Sequence, residues 1–427
     1  YTTGTGTKSK AQAGAGTANP QEVMSLATNP ANIAFVPDSI DAGLSIFSPM
    51  RDYETSPSLA NGNGGAFTIG PNKIDSENEF FPIPFVGMNK ALSDVDYLAA
   101  AFYARGGMNR KWVGGTATFD PDGPGPAPVM TFDGTYGGGT AGVDLMQAFL
   151  NLTYARKLSD QFSLGASAIF AMQRFEARGV SMFAPYTRTF ARSGGTVMPR
   201  NLSGNGHDMS YGYGASIGLQ WNPVDMFSFA AAYTTKMSMG EFGDYADLFA
   251  EEGGFDMPAT ATIGIAVKPN DRLALMFDWQ EIWYSDVGAV GNPIQNLFNC
   301  PSLGGTDFES CLGGNRGAGF GWEDMSVYKF GASYQLDDTW TLRGGYSFAD
   351  QPIPNDQMTF NILAPAVMED HFTVGFTKKQ ASGNEWNLSF MYAPEQTLKG
   401  PNNFDPTQTI EESMHQFELE VSYSWKR

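Results

Sequence analysis

The sequence predicts an all-β protein: a transmembrane antiparallel β-barrel of about fourteen strands. Three observations support this fold. Apolar and polar residues alternate with a period of two along most of the 427-residue chain, as expected of strands whose two faces meet different surroundings. Many alternating segments run ten residues or more, whereas strands of globular proteins typically have about five or six. Short connectors also alternate with long ones, as in bacterial outer-membrane barrels.

The alternation is clearest in the last segment of the chain. There the apolar set Phe417, Leu419, Val421, Tyr423, Trp425 alternates with the polar set Glu418, Glu420, Ser422, Ser424, Lys426. Segments 211–221, 227–234 and 272–280 follow the same period. Charges on the second face would be costly in a dry core but are tolerated in a wet or paired lumen. A membrane barrel is therefore favoured over a soluble β-sandwich or propeller.

Strand positions follow from these segments. We predict strands near residues 40–50, 78–88, 95–106, 144–157, 161–175, 208–221, 226–237, 258–268, 271–284, 324–336, 339–349, 369–379, 384–393 and 413–425. The short turns 89–94, 158–160, 222–225, 269–270, 337–338 and 380–383 separate longer loops. Aromatic residues near strand ends predict girdles at both membrane interfaces: Trp221, Trp279, Tyr284, Trp340, Tyr392 and Trp425.

Composition excludes other classes of protein. The net charge of -19 is unsuited to nucleic acid, because a phosphate backbone requires clustered Lys and Arg. No apolar run approaches the ~18–20 residues that a spanning helix needs. Most acidic residues lie between the predicted strands, where they keep loops solvated; divalent-ion bridging to lipopolysaccharide is the alternative. Outer-membrane lipid and lipopolysaccharide are the expected surroundings.

Cys300 and Cys311 lie in one segment rich in Gly, Asn and Pro. They predict a disulfide that closes a short loop in an oxidising compartment. Two cysteines alone make a poor metal site, and we expect no metal or cofactor. No secretory signal opens the sequence, so Tyr1 is expected to be the mature N-terminus.

Residues 1–38 do not follow the strand pattern and lack a core of their own. Because a barrel of about fourteen strands leaves a lumen to be filled by water or a plug, we predict two parts: an N-terminal hatch, 1–38, and a barrel, 39–427. A disordered periplasmic tail is the alternative.

The triplet Asn29-Pro30-Ala31 after a Gly/Ala-rich start resembles the hatch of FadL-type long-chain fatty acid and hydrocarbon transporters. Residues 258–285, 340–354 and 371–375 resemble the same family, and the likeness is clearest in the second half of the chain. It implies an N-terminal hatch, an apolar internal pocket and lateral exit through a kinked third strand. The implied function is passive transport of hydrophobic compounds such as long-chain fatty acids, in the outer membrane and by a monomer.

Two site predictions accompany this resemblance. Arg174 resembles the family's basic residue for a fatty acid carboxylate, although strict alternation points it outward, so the role requires a bulge; an arginine at the membrane rim is the alternative. The family's second basic position falls at Glu323. Consecutive glycines, Gly106 and Gly107, suit a lateral opening in the third strand, or else simply begin the following loop.

Other functions are less well supported. A general diffusion porin for polar solutes is the first alternative, and a barrel-borne phospholipase or adhesin is the second. The histidines His207, His371 and His415 are scattered, without metal-ligand spacing, and no Gly-x-Ser-x-Gly nucleophile elbow occurs. We therefore expect a protein that is not an enzyme.

Overall fold

A computed structural model describes residues 1–122 and 126–426, and for Gly106 it describes the backbone only. Within these residues one antiparallel sheet of sixteen strands dominates the fold. Two of them, Lys73–Asp75 and Ser238–Met239, are short segments paired beside the wall. The remaining fourteen strands form a closed barrel, which confirms the predicted fold.

The fourteen wall strands are numbered in chain order. They are β1 Ser39–Thr55, β2 Phe81–Ala91, β3 Asp96–Trp112, β4 Ala141–Ser159, β5 Phe162–Arg178, β6 Asp208–Val224, β7 Phe227–Thr234, β8 Thr260–Asn270, β9 Leu273–Ile282, β10 Met325–Gln335, β11 Trp340–Phe348, β12 Asp370–Lys379, β13 Glu385–Asn402 and β14 Asp405–Lys426. Each strand pairs with the next, and β14 pairs with β1 from Ser39↔Lys426 to Thr55↔Ile410, which closes the barrel.

The predicted long loop between residues 393 and 413 is wrong. β13 and β14 continue through this region as one hairpin, whose last pair is Asn402↔Asp405. The register shifts between Ala393 and Gln396, and above this point both faces carry polar residues. The alternation depends on one face meeting lipid and the other meeting the lumen. Where both faces are polar the pattern disappears, so the sequence predicts a loop where the structure has strands.

Short helices and strands occupy the N-terminal segment and the loops. The α-helices are Thr7–Lys10, Arg188–Arg192, Ala250–Gly253, Gly288–Gly291 and Met358–Asn361; the 3-10 helices are Val23–Ala27, Pro30–Phe35, Asn63–Gly65, Ser181–Tyr186, Gly243–Tyr245, Tyr284–Asp286, Ile294–Asn299, Pro301–Leu303 and Phe308–Ser310. Strands Thr68–Ile69, Thr116–Phe119 and Met130–Asp133 form a separate sheet. Among the described residues, no helix combines the length and apolarity needed to cross a membrane.

The two faces of the wall differ as the alternation predicts. In β14, Leu419 and Trp425 are exposed on the outside, whereas Glu418 and Glu420 are buried on the inside. Tyr284 departs from the predicted girdles: it lies in a 3-10 helix beyond β9 and packs edge-on against Trp322, with ring centroids 5.2 Å apart. Because barrels of this kind have short periplasmic turns, the long loops mark the extracellular side.

Candidate functional site: a gap in the barrel wall beside the N-terminal segment

Residues 1–38, here called the N-terminal segment, pack against inward side chains of the wall. The Asn29 side chain accepts a hydrogen bond from the Ala31 amide (3.0 Å) and donates one to the Leu219 carbonyl of β6 (2.9 Å). Ser163 of β5 donates to the Ala31 carbonyl (3.0 Å). The Asn29-Pro30-Ala31 triplet is therefore a contact between this segment and the β5–β6 wall.

This contact depends on two wall glycines that the sequence reasoning missed. Gly165 of β5 and Gly218 of β6 are direct cross-strand partners. A Cβ on Gly165 would lie 2.4 Å from the Ala31 nitrogen, and a Cβ on Gly218 would lie 2.1 Å from the Asn29 side-chain oxygen. The pair forms a patch without side chains, and the triplet occupies the space.

Other inward glycines make room for the N-terminal segment in the same way. A Cβ on each would fall within about 3 Å of that segment's atoms; these are Gly87, Gly264, Gly331, Gly345 and Gly375. In the sequence, the signal for this packing is glycine at positions where the period-two alternation points into the lumen.

Ion pairs and hydrogen bonds also join the N-terminal segment to the wall. Lys8 pairs with Glu385 (2.6 Å), and Lys10 pairs with Glu420 (2.6 Å) and with Glu418. The Asp278 carboxylate accepts hydrogen bonds from the Gly16 amide (3.0 Å) and from the Thr17 amide (3.0 Å) and hydroxyl (2.7 Å). The charged lumen face of the wall is thus neutralised by the segment it surrounds.

Burial affects the ionisation of this segment. It lowers the pKa of Lys8, against the opposing effect of Glu385. For Lys10 burial also acts to lower the pKa, but Glu418 and Glu420 outweigh it and the pKa is raised. Burial, reinforced by the Asp41 charge, raises the pKa of Glu22 to about 7. Glu22 accepts a hydrogen bond from the Ser9 amide (2.8 Å), so its protonation bears on the fold of the segment.

The wall is interrupted between β2 and β3. Their pairing runs from Ala91↔Tyr97 to Phe85↔Tyr103 and ends there, although β2 continues along β1 as far as Phe81. At the same level the β3–β4 register shifts between Ala104 and Gly107, which marks a bulge. Among the described residues, 81–84 of β2 therefore lie opposite the bulge of β3 without pairing to it.

Polar contacts form the upper edge of this gap. Arg51 donates to the carbonyl of Asn78 (2.7 Å) and to that of Asn109. Above them the Glu77 amide donates to the Lys111 carbonyl (3.0 Å). The gap is therefore local, with backbone hydrogen bonds both below and above it. A longer gap would expose more unpaired backbone N–H and C=O groups to lipid, which is energetically costly.

The predicted opening at Gly106 and Gly107 falls within this bulge. Gly107 has φ 150°, and a Cβ there would lie 2.8 Å from the Leu145 carbonyl oxygen, so a side chain at Gly107 would strain the wall. The surroundings of the Gly106 side-chain position lie outside what the structure describes.

An apolar cluster lines the inner side of the wall here. It joins the N-terminal segment to strands β2–β5 and to residues near β7 and β8, with members that include Val23, Met24, Leu26, Ile33, Phe85, Tyr103, Phe149, Ile169, Met237 and Met257. Tyr103 and Phe149 stack with ring centroids 5.4 Å apart. The gap and this cluster share Phe85 and Tyr103, so the opening adjoins an apolar surface.

Arg174 faces outward, which corrects the predicted ligand contact. The β4–β5 and β5–β6 registers run through Arg174 without a shift, so the required bulge is absent and alternation holds. The guanidinium is 3.1 Å from the Asp144 carboxylate, which also contacts His207 at 2.8 Å. An outward guanidinium cannot contact a molecule in the lumen.

Arg105, which the sequence alone did not single out, directly follows the last regular β3–β4 pair, Ala104↔Ala148, and alternation from the buried Tyr103 places it on the lumen side. Tyr284 follows β9, which lies across the barrel from β3. Burial raises the pKa of the Tyr284 phenol to about 12, and the Arg105 charge opposes that rise, which is consistent with an Arg105 side chain in the lumen. Among the described residues Arg105 has no hydrogen-bond or ion-pair partner. It is an inward cation at the gap.

The remaining predicted site residues lie elsewhere. Cys300 and Cys311 form a disulfide (S–S 2.06 Å) in the loop between β9 and β10. Glu323 lines a polar cavity of about 610 Å³ between the extracellular loops. Residues 1–122 and 126–426 hold no cluster of three His, Cys, Asp or Glu side chains able to bind a metal.

Fold and site together define an outer-membrane β-barrel whose lumen holds its own N-terminal segment and whose wall is open beside β3. The chain belongs to the outer membrane protein transport protein family (OMPP1/FadL/TodX), whose family model matches residues 2–397. It is located in the outer membrane, and the family consists of transport proteins.

Two curated relatives carry the name long-chain fatty acid transport protein. That of Salmonella typhi is 26% identical over 251 residues, which cover 54% of this chain and 56% of the relative. That of Escherichia coli (strain K12) is 25% identical over 267 residues, covering 54% and 57%. The chain thus spans about half the length of the curated relatives it matches.

Solved structures show the same fold. The Pseudomonas putida toluene transporter TodX aligns with a TM-score of 0.65 at 17% identity, covering 100% of this chain and 99% of that one. A Pseudomonas aeruginosa FadL homologue aligns with a TM-score of 0.64 at 16% identity, covering 99% and 98%.

Proposed function

We propose that this chain is a passive outer-membrane channel for hydrophobic compounds such as long-chain fatty acids. The observation that carries the proposal is the gap between β2 and β3, which adjoins the apolar cluster inside the barrel. A hydrophobic molecule gains roughly 0.8 kcal/mol for each CH₂ kept out of water. A lateral route into the bilayer avoids the aqueous exit that this term penalises.

In this proposal residues 1–38 act as a hatch. They close the direct path along the lumen through the ion pairs of Lys8 and Lys10 and the docking of Asn29-Pro30-Ala31. Solute therefore leaves sideways near Gly106 and Gly107. The names of the relatives and of the similar structures support fatty acids and small aromatic hydrocarbons as the substrate classes.

Arg105 supplies a headgroup contact for the anionic members of these classes. A carboxylate needs a cation when it leaves water, and Arg105 is an inward cation at the gap. Hydrocarbons need no such partner.

Uptake into proteoliposomes, with planar-bilayer conductance, tests the proposal. We expect saturable uptake of a fluorescent fatty acid and little steady ion current. A steady current without fatty acid uptake would indicate a porin, and release of fatty acid from phospholipid would indicate an enzyme.

A further inference from the structure

The extracellular loop between β11 and β12, residues 349–369, folds inward over the barrel. Its central part, which contains the helix Met358–Asn361, is almost fully buried. The buried residues of that part are Met358, Thr359, Phe360, Asn361, Ile362, Leu363 and Ala364.

Hydrogen bonds from β3 and the next loop hold this segment in place. Arg110 donates to the carbonyls of Leu363 (3.2 Å) and Pro365 (2.9 Å). The indole of Trp112 donates to the Ile362 carbonyl (3.0 Å). In the fourteen-strand circuit β3 lies almost opposite β11, so the loop crosses the upper mouth of the lumen to reach these donors.

Tyr136, in the loop between β3 and β4, adds one more contact of this kind. Its hydroxyl donates to the Thr359 carbonyl (2.7 Å). These three donors hold the loop through its backbone carbonyls. Two of its side chains make further contacts, since Thr359 donates to the Asn402 side chain (3.1 Å) and Asn361 donates to the Phe320 carbonyl (2.7 Å).

Glu412 of β14 is a buried carboxylate beside this clamp. It is 1% exposed, and among the described residues neither of its oxygens has a hydrogen-bond partner. Glu412 is the cross-strand partner of Tyr53, whose ring packs edge-on against Trp112 of the clamp with centroids 5.0 Å apart. Among the described residues, no ion pair joins Glu412 to Arg110. A buried carboxylate without a partner is unfavourable, so this arrangement favours any state in which Arg110 turns to Glu412.

We propose that residues 349–369 form an upper gate and that Arg110 is its latch. In the closed gate Arg110 holds Leu363 and Pro365; in the open gate it pairs with Glu412. That pair compensates the two lost carbonyl contacts and satisfies the orphan carboxylate. The purpose of the gate rests on the proposed function, because a gate matters only if solute passes, whereas the latch is a property of the fold.

Amide hydrogen exchange at residues 359–364 of the purified barrel tests the latch, and proteoliposome uptake of a fluorescent fatty acid tests the gate. Glu412→Gln keeps the shape of the side chain but removes the charged partner of the open state. A hydrogen bond to a charged group is stronger than one to a neutral group, so the substitution destabilises the open state. We therefore expect exchange at residues 359–364 to be about ten-fold slower and uptake to be slower. Glu411→Gln is the matched control, because Glu411 is the adjacent residue and pairs with Lys399 at 3.3 Å.

Arg110→Gln should accelerate exchange at the same amides, and it gives a second reading of the latch in the opposite direction. Unchanged exchange in Glu412→Gln relative to Glu411→Gln would overturn the latch. Slower exchange with undiminished uptake would overturn the gate. Absence of uptake by the unmodified protein would instead overturn the proposed function, and the exchange comparison would still decide the latch.

Discussion

Adding one methyl group at Gly165 should release the Asn29-Pro30-Ala31 triplet from the wall. In Gly165→Ala the new Cβ would lie 2.4 Å from the Ala31 nitrogen and the Pro30 carbonyl carbon, where ordinary contacts begin at 3.4 Å. The obstructing atoms are backbone, so the triplet must retreat by about 1 Å. Overpacking of this kind costs about 1–3 kcal/mol. The equilibrium constant for docking of the triplet should therefore fall by roughly 5- to 150-fold.

Amide hydrogen exchange over residues 30–35 measures this docking, and exchange should accelerate by that factor. Gly344→Ala is the matched control, because a Cβ on Gly344 of β11 meets nothing nearer than 3.8 Å. Unchanged exchange in Gly165→Ala, in a barrel that folds normally, would refute the argument that the glycine pair makes room for the triplet.

Burial raises the pKa of Glu22 from its ordinary 4.5 to about 7, so Glu22 keeps a proton in the docked N-terminal segment and loses it in the released segment. Docking should therefore weaken by about 3 kcal/mol between pH 4.5 and 7, which amide exchange within residues 9–22 measures, and Glu22→Gln should abolish this pH dependence. Arg105→Ala should weaken binding of a fatty acid about ten-fold or more, as expected for a lost charge-assisted contact, and leave hydrocarbon binding unchanged, whereas Arg174→Ala should alter neither; equal losses for both ligands would remove the headgroup role of Arg105. Reduction of the Cys300–Cys311 disulfide should leave the barrel folded by circular dichroism and heat-modified gel mobility, and a loss of strand signal would contradict this.

The barrel could be predicted from the sequence because lipid and lumen impose opposite demands on alternate residues. That constraint places Leu419 outside and Glu418 inside without any knowledge of neighbouring strands. It also pointed Arg174 outward, and the family resemblance alone suggested the bulge that would have turned it inward. The bulge occurs in β3 instead, next to Arg105.

The docking of the N-terminal segment could not be predicted in the same way. It depends on Gly165 and Gly218 being cross-strand partners, and pairing register is a property of two strands, which a pattern along one strand does not contain. The wall gap could be predicted only in part for the same reason. The consecutive glycines indicated irregularity in β3, but the end of the β2–β3 pairing at Phe85 depends on both strands. The inward fold of loop 349–369 depends on contacts with β3 and the following loop, far away in sequence.

The lateral exit is tested most directly by closing the gap with a reversible crosslink. Extending the β2–β3 register by one pair beyond its end brings residues 84 and 104 together, so Pro84→Cys with Ala104→Cys should form a disulfide across the opening. Val86→Cys with Phe102→Cys is the matched control, since these residues already pair in the closed part of the wall. Fatty acid uptake should stop in the oxidised gap variant and return on reduction, while the control is unaffected; uptake at the original rate through the crosslinked gap would contradict the account.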